Sequence, residues 1–161
     1  MIVIGIDPGT AITGYGIIEK NKGNETNVLG YGCITTSSAL LPGERLKIIN
    51  SDLDSLILKH KPDFIAVESL YFFKNLKTAM PVSQAKGVIL LTAAKRKIPV
   101  LEFTPLEVKM TVAGYGRAEK KQVQKMIQNF LKLKEFPKQD DAADALGVAL
   151  CGILKKNSKL S

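Results

Sequence analysis

The chain opens with a continuous apolar run that ends in an acid, MIVIGID (residues 1–7). The run is rich in Ile and Val and too short for a helix, so it predicts a central strand buried on both faces. The turn sequence DPGT (residues 7–10) follows directly and ends this strand. A second apolar run that ends in an acid, FIAVE (residues 64–68), predicts another buried strand of the same kind.

The rest of the chain predicts a few more strands alternating with amphipathic helices. Further strands are predicted at 14–19 and 28–35, joined as an antiparallel hairpin, and at 100–103. Helices are predicted at 44–60, 78–97, 105–113, 119–133 and from about 139 onward. This order predicts an α/β fold with a mixed five-stranded sheet flanked by helices. A length of 161 residues predicts one domain (residues 1–161), with a short basic tail from about residue 155.

The charge of the chain points to a polyanionic partner. Lys and Arg total 23 against 15 Asp and Glu, which gives a formal net charge of +8. Residues 117–138 hold seven bases and two acids, and the tail from residue 154 adds three lysines. Such a concentrated excess of positive charge is typical of proteins that bind nucleic acid.

Composition also excludes several kinds of site. His60 is the only histidine, so the chain has no multi-histidine metal site, and His60 itself reads as a surface or helix-end residue. Cys33 and Cys151 lack metal-binding spacing and predict free thiols in a reducing compartment. No basic signal-peptide region and no apolar run of ~18–20 residues is present, so we expect a cytoplasmic protein without a membrane segment.

Acidic residues lie at the ends of three predicted elements. Asp7 and Glu68 each close a strand, and parallel neighbouring strands would bring them together at the edge where open α/β sheets bind ligands. Asp141 and Asp144 share one face at the start of a nearly apolar helix. Oxygen ligands without His or Cys favour a hard cation, Mg²⁺ or Mn²⁺. Two such ions can catalyse phosphodiester hydrolysis, which predicts a nuclease.

Each acid also has a structural interpretation. Asp7 can begin the turn that Pro8 and Gly9 favour, and Glu68 can simply be the first residue of a loop. Asp140 is most simply a first-turn acid that interacts with the helix dipole. Asp140 and Asp144 are also four residues apart, so Asp140 stays an alternative to Asp141 as the partner of Asp144.

Four stretches together resemble the RuvC family of bacterial Holliday-junction resolvases. They are IGIDPGT (4–10), IAVE with the following Tyr71-Phe72 and Lys74-Asn75, SQAKG (83–87) and DAADALGVAL (141–150). The resemblance implies an RNase H-like fold and a structure-selective endonuclease acting in homologous recombination and DNA repair. It implies symmetric paired nicks of a four-way junction by metal-activated water, leaving 5′-phosphate and 3′-hydroxyl ends.

The resemblance also assigns roles to individual residues. Asp7, Glu68, Asp141 and Asp144 match the metal-binding acids, for which we expect two Mg²⁺ ions per subunit with Mn²⁺ as a substitute. Lys109 and Lys120 match two catalytic lysines near the scissile phosphate; without the resemblance, Lys120 would be interpreted as a solvated helix residue. The residues expected to bind DNA are Tyr71, Phe72, Lys74, Asn75, Lys77, Lys86, Arg117 and Lys121. Position 71 carries Tyr where family members commonly carry Phe.

The expected partners follow from the same resemblance. They are four-way junction DNA, a second copy of the chain, and the RuvA–RuvB branch-migration complex. The long helix at 78–97 is the usual kind of element for the dimer interface, and its apolar set of Val82, Ala85, Val88 and Ile89 permits this role. An actin-like nucleotide-binding protein would need a second lobe, and a non-catalytic junction-binding module would lack one of the four acids. A sequence-relaxed nuclease for other branched DNA remains the alternative.

Overall fold

The computed structural model describes residues 1–23, 25–69 and 76–158, with the backbone alone at 76–78 and 157–158. The strands are β1 (Ile2–Asp7), β2 (Ile12–Lys20), β3 (Thr26–Thr35), β4 (Phe64–Glu68) and β5 (Val100–Phe103). The helices are α1 (Pro42–His60), α2 (Leu76–Lys95), α3 (Pro105–Ala113), α4 (Lys120–Phe130) and α5 (Asp140–Ser158). No helix in the described ranges has an apolar stretch of the length required to cross a bilayer.

The five strands form one mixed sheet in the order β3-β2-β1-β4-β5. β2 is antiparallel to both β1 and β3, whereas β4 is parallel to both β1 and β5. Four strands, β1, β3, β4 and β5, therefore run in the same direction. Their carboxyl ends lie together, at what we call the carboxyl end of the sheet, and the α/β fold predicted from the sequence is confirmed.

Each face of the sheet is covered by its own set of helices. Alternate residues of the buried strands point to opposite faces. Val3 packs in a core formed with α3, α4 and α5, and Ile4 in a core formed with α1 and α2. Both side chains are fully buried, as the continuous apolar runs predict.

α5 crosses the sheet at unusually short range because β1 and β2 carry glycines beneath it. A Cβ atom at Gly5 would overlap the backbone of Ala145, and one at Gly14 would overlap the carbonyl oxygen of Asp141. Gly14 is the register partner of Asp7 on the neighbouring strand. The glycines thus allow the first turns of α5 to lie directly against the carboxyl end of the sheet.

Two helices end earlier than the sequence predicts. α2 ends at Lys95, two residues before the predicted end, because Lys97 has a left-handed backbone with φ of 57°. α4 ends at Phe130, and Lys132 likewise has a φ of 49°. Long side chains in this conformation are uncommon, and at both positions they follow the last turn of a helix.

The predicted dimer-forming face of α2 is wrong. Ala85 and Ile89 are completely buried in this chain's own core, and Val88 packs against that core. Val82 is only half-buried. Helical periodicity identified an apolar face correctly, but that face packs against α1 and the sheet, so it is occupied within the subunit.

Candidate active site

The two acids that close strands lie side by side at the carboxyl end of the sheet. β1 and β4 are parallel neighbours in a register that pairs Ile6 with Val67, which brings the next residues, Asp7 and Glu68, together. The two carboxyl groups are close enough that each affects the pKa of the other. The expectation that these carboxylates meet at the end of the sheet is confirmed.

The third and fourth acids are brought to the same end of the sheet by α5. Asp141 is in the first turn of the helix, where its carbonyl lies against Gly14, and Asp144 follows one turn later. The helix face below them carries Ala145 and Val148, both fully buried, so this face points into the protein. Asp141 and Asp144 are themselves half-buried at its upper end.

Burial and mutual repulsion make this group of carboxylates electrostatically costly. Burial, together with the charges of Glu68, Asp144 and Asp141, raises the pKa of Asp7 to about 8. Burial and the charge of Asp144 also raise the pKa of Glu68. Burial raises the pKa of Asp144 although Lys120 opposes this shift. The four acids therefore form one electrostatic unit, which we call the acid cluster.

Lys120 joins the acid cluster from α4. Its Nζ lies 3.4 Å from Oδ2 of Asp144 and 3.3 Å from Oδ2 of Asp140. The helix begins at Lys120, and the residue before it, Glu119, donates its backbone N–H to Oε1 of Gln122 at 2.9 Å. This first turn directs the ammonium toward α5. The Asp140 carboxylate is 71% exposed and faces outward, and its charge adds to the raised pKa of Asp144.

Lys109 approaches from α3, on the β5 side of the acid cluster. The helix begins with a capping box, in which Thr104 Oγ1 accepts from Glu107 N–H at 3.1 Å and Glu107 Oε2 accepts from Thr104 N–H at 2.9 Å. Lys109 then lines an open cavity of about 280 Å³ together with Glu68, Lys120 and Asp144. Two lysines and two acids therefore line the same space.

The donor set fits a hard divalent cation. Carboxylate oxygens are the ligands that Mg²⁺ prefers, and a cation would relieve the repulsion that raises the pKa values of Asp7, Glu68 and Asp144. In the part of the chain that the structure describes, no three Asp, Glu, His or Cys side chains are already arranged around a metal position. The acids are thus gathered at one place, and their side chains would have to turn toward an ion to coordinate it.

Comparison with known proteins identifies the family. The family model for crossover junction endodeoxyribonuclease RuvC matches residues 3–152. The chain belongs to the RuvC family. The crossover junction endodeoxyribonuclease RuvC of Fusobacterium nucleatum is 52% identical over all of this chain and 84% of its own length. That of Caldicellulosiruptor saccharolyticus is 51% identical over 99% of this chain and 96% of its own length.

A solved structure of the RuvC family supports the same assignment. Thermus thermophilus RuvC in complex with a Holliday junction substrate has a TM-score of 0.94 and 31% identity, covering 99% of this chain and 96% of that one. The chain is accordingly an endonuclease of the hydrolase class with the RuvC fold, an RNase H-like α/β architecture. Nucleases of the RuvC family depend on a metal ion.

The other DNA-binding residues predicted from the RuvC resemblance fall into three groups. Tyr71, Phe72, Lys74 and Asn75 lie outside the described residues, as does the side chain of Lys77. Arg117 and Lys121 are exposed near the start of α4, close in sequence to Lys120. Lys86 is 22% exposed, and its Nζ lies 2.6 Å from Oε2 of Glu102, so an internal ion pair already holds its charge.

Two features of this RuvC site were missed by the sequence analysis. Ser69, directly after Glu68, donates its hydroxyl to Oε2 of Glu102 at 2.9 Å, so the carboxylate that holds Lys86 also holds the end of β4. Cys33 pairs with Gly14 across the strands, and burial and the charge of Asp141 raise the pKa of its thiol. Each contact joins residues far apart in the chain, and no local spacing signals it.

The basic tail is partly structural. Lys155 Nζ lies 2.7 Å from Oε1 of Glu107, and it also lies 5.6 Å from the centre of the Phe103 ring. Lys156 Nζ lies 4.5 Å from the centre of the Phe64 ring. These lysines stabilise the end of α5 against α3 and the sheet, and this explains part of the charge that the sequence analysis attributed to binding a polyanion.

Proposed function

We propose that this chain resolves four-way Holliday junctions by symmetric paired nicks, with Asp7, Glu68, Asp141 and Asp144 as the ligands of the catalytic metal. One observation carries the proposal: four acids from β1, β4 and α5 meet at the carboxyl end of the sheet, beside two lysines. Membership of the RuvC family supplies the substrate class.

Each side chain of the site has a chemical task in this proposal. The four carboxylates would hold two Mg²⁺ ions, with Mn²⁺ as a substitute, and the bound metal would activate water and stabilise the leaving oxygen. Lys120 and Lys109 line the same cavity as Glu68 and Asp144, and their ammonium groups would stabilise the negative charge that grows on the phosphate oxygens. In-line attack then leaves a 5′-phosphate and a 3′-hydroxyl.

The proposed DNA contacts surround this cavity. Arg117 and Lys121 are exposed near Lys120 and would bind backbone phosphates. Lys74, Asn75 and Lys77 follow the catalytic Glu68 in the sequence and would add contacts of the same kind. We further propose that Tyr71 or Phe72 stacks on bases near the branch point.

A symmetric cut requires two active sites, so we propose that the enzyme is a homodimer. The outward side of α2 supports this proposal. Its exposed residues recur at alternating spacings of four and three, a pattern that suits packing against a second helix: Met80, Gln84, Gly87, Leu91 and Ala94. Met80 is 69% exposed and Leu91 is 58% exposed, although both are large and apolar.

The cellular context of the protein is part of the same proposal. We infer a single domain of 161 residues that works in the cytoplasm with the RuvA–RuvB branch-migration complex. Free thiols at Cys33 and Cys151 fit a reducing compartment. Nicks that carry a 5′-phosphate and a 3′-hydroxyl can be closed by a ligase, as recombination and repair require.

The substitution Asp7→Asn tests the proposed site. The variant should bind a synthetic four-way junction as tightly as the wild type, because the positive surface is unchanged, but it should not cut the junction in Mg²⁺ or Mn²⁺. Loss of both binding and cutting, in a protein with an unchanged unfolding temperature, would contradict the assignment of Asp7 to the metal. Equal cutting of flaps and junctions by the wild type would favour the sequence-relaxed nuclease instead.

A further inference from the structure

Arg45 carries a positive charge that no carboxylate neutralises in the described part of the chain. It lies in the first turn of α1 and is half-buried. Its Nε donates to Oγ1 of Thr36 at 2.8 Å, and no described Asp or Glu lies within ion-pair distance of its guanidinium. The stretches outside the described residues contain no Asp or Glu either. A positive charge on a half-buried residue without an anionic partner suggests that a ligand supplies the anion.

A chain of hydrogen bonds fixes Arg45 to the turn that follows Asp7. Thr36 accepts from Arg45 and donates its own hydroxyl to the carbonyl oxygen of Thr10 at 2.6 Å. The Thr10 hydroxyl in turn donates to the carbonyl oxygen of Pro81 in α2 at 2.6 Å. Thr10 is only 8% exposed, so this connection is rigid. Because consecutive Cα atoms are 3.8 Å apart, Thr10 Cα lies within about 11 Å of Asp7 Cα.

The sheet order places Arg45 and Lys109 on different sides of the acid cluster. β3 is the outermost strand on one side of the sheet. Thr36 directly follows β3 and therefore lies at the carboxyl end of the sheet. Lys109 belongs to α3, which follows β5 at the other edge of the sheet. Asp7 and Glu68 close β1 and β4, two of the three strands that lie between β3 and β5. A DNA strand that crosses the acids therefore has positive charge on both sides.

From this arrangement we infer that Arg45 binds a backbone phosphate of the cleaved DNA strand, on the β3 side of the acid cluster. The hydrogen bond to Thr36 uses Nε and leaves the two terminal amino groups to form a planar pair of donors, which matches two oxygens of a phosphodiester. The inference rests on the proposed function, since the ligand is the DNA substrate. It adds a contact that lies far in sequence from the basic segments of the chain.

Binding of a synthetic four-way junction by the full-length protein, without divalent metal, tests the inference. Arg45→Gln removes the charge, and Lys59→Gln removes the same charge from an exposed site at the other end of α1. We expect Arg45→Gln to weaken binding about tenfold, the range for a hydrogen bond to a charged group. The slope of log affinity against log salt should fall by about one for each subunit that contacts the junction. Lys59→Gln should bind within about twofold of the wild type and keep its slope.

Two results would overturn the inference. The first is an affinity for Arg45→Gln equal to that of Lys59→Gln. The second is weaker binding with an unchanged salt slope, because a merely structural role for Arg45 does not change the number of neutralised phosphates. Arg45→Lys keeps the charge and should recover most of the slope. Binding by the wild type is measured in the same experiment, and its cleavage of the junction is measured in parallel after Mg²⁺ is added, so failure of the proposed function is seen separately.

Discussion

The ammonium of Lys120 lies 3.4 Å from Oδ2 of Asp144, which connects the start of α4 to the acid cluster. The two residues are 24 positions apart in the chain. Lys120 is 52% exposed at its side chain and Asp144 is 41% exposed, so this pair contributes little to folding. In the proposed mechanism, the contact holds an ammonium beside the acids at which the phosphodiester is hydrolysed.

Lys120→Met should therefore slow cleavage far more than it changes stability. Loss of one group that stabilises transition-state charge typically lowers the catalytic rate constant by about 10²–10³. Lys125→Met, on an exposed position of the same helix, is the matched control and should cut within about threefold of the wild type. Single-turnover cleavage of a four-way junction measures both. Equal rates for the two variants would remove Lys120 from the reaction.

Two adjacent acids give a second, sharper comparison. Asp141 contributes to the raised pKa of Asp7, whereas Asp140 faces outward and contacts Lys120. We expect Asp141→Asn to lower cleavage by at least about 10³, because an acid facing Asp7 is lost, and Asp140→Asn to lower it only several-fold. Cleavage rates in Mg²⁺ measure this difference. A larger loss in Asp140→Asn than in Asp141→Asn would mean that the alternative pair, Asp140 and Asp144, holds the metal.

The sequence was sufficient to predict the acid cluster because each acid closes or begins a strongly patterned element. Buried apolar runs identify β1 and β4, and their terminal acids follow directly. The family resemblance favours Asp141 over Asp140 as a metal ligand, and the charge of Asp141 contributes to the raised pKa of Asp7; the choice between the two acids stays a prediction. Local patterns could not reveal that Thr10, Thr36 and Arg45 are connected, since these contacts depend on how the turn, β3 and α1 pack in three dimensions.

The same reasoning explains the wrong dimer face of α2. Periodicity shows that one side of a helix is apolar, but it does not show whether that side meets the same chain or a second one. Ala85 and Ile89 meet α1 and the sheet. The lysines of the tail are a similar case, because their positions over Phe64 and Phe103 follow only from the packing of α5.

The close approach of α5 to the sheet predicts a large cost for a single methyl group. A Cβ at position 14 would overlap the Asp141 carbonyl oxygen, whereas a Cβ at Gly30, on the neighbouring β3, meets nothing within 4 Å. Gly14→Ala should lower the free energy of unfolding by about 1–3 kcal/mol, the usual cost of overpacking. Gly30→Ala should be neutral or slightly stabilising. Urea unfolding measures both, and equal stabilities would contradict this packing.

The Glu107–Lys155 contact predicts a dependence of stability on acid pH. The hydrogen bond from Lys155 and those from Thr104 lower the pKa of Glu107 from 4.5 to about 2. The folded state therefore gains stability from ionised Glu107 above about pH 4.5, and this gain is lost as the pH falls toward 2. Since the Glu107 side chain is 42% exposed, screening by solvent reduces the gain to about 1 kcal/mol.

Glu107→Gln isolates this effect, because the amide keeps an oxygen that can accept from Thr104 N–H. The variant should be less stable than the wild type at pH 7 by about 1 kcal/mol. The difference should shrink steadily between pH 4.5 and pH 2. Denaturant unfolding at several pH values measures the difference, and a gap as large at pH 2 as at pH 7 would argue against the ion pair.

The outward side of α2 predicts a change in oligomeric state. Leu91 and Leu58 are exposed to similar degrees, 58% and 53%, but only Leu91 belongs to the proposed interface. Leu91→Asp should convert the dimer to monomers at micromolar concentration, because it places a charge in an apolar helix contact, while Leu58→Asp should remain dimeric. Sedimentation velocity distinguishes the two. A dimer in both variants would exclude this side of α2 from the interface.

The most direct test of the central claim is a map of the cuts that the wild-type protein makes in a synthetic four-way junction with Mg²⁺. We predict two nicks at positions related by the two-fold symmetry of the junction, each with a 5′-phosphate and a 3′-hydroxyl that ligase can seal. No cutting should occur with Asp7→Asn. An intact junction after incubation with folded, dimeric wild-type protein would contradict the account, as would flap substrates cut as fast as the junction.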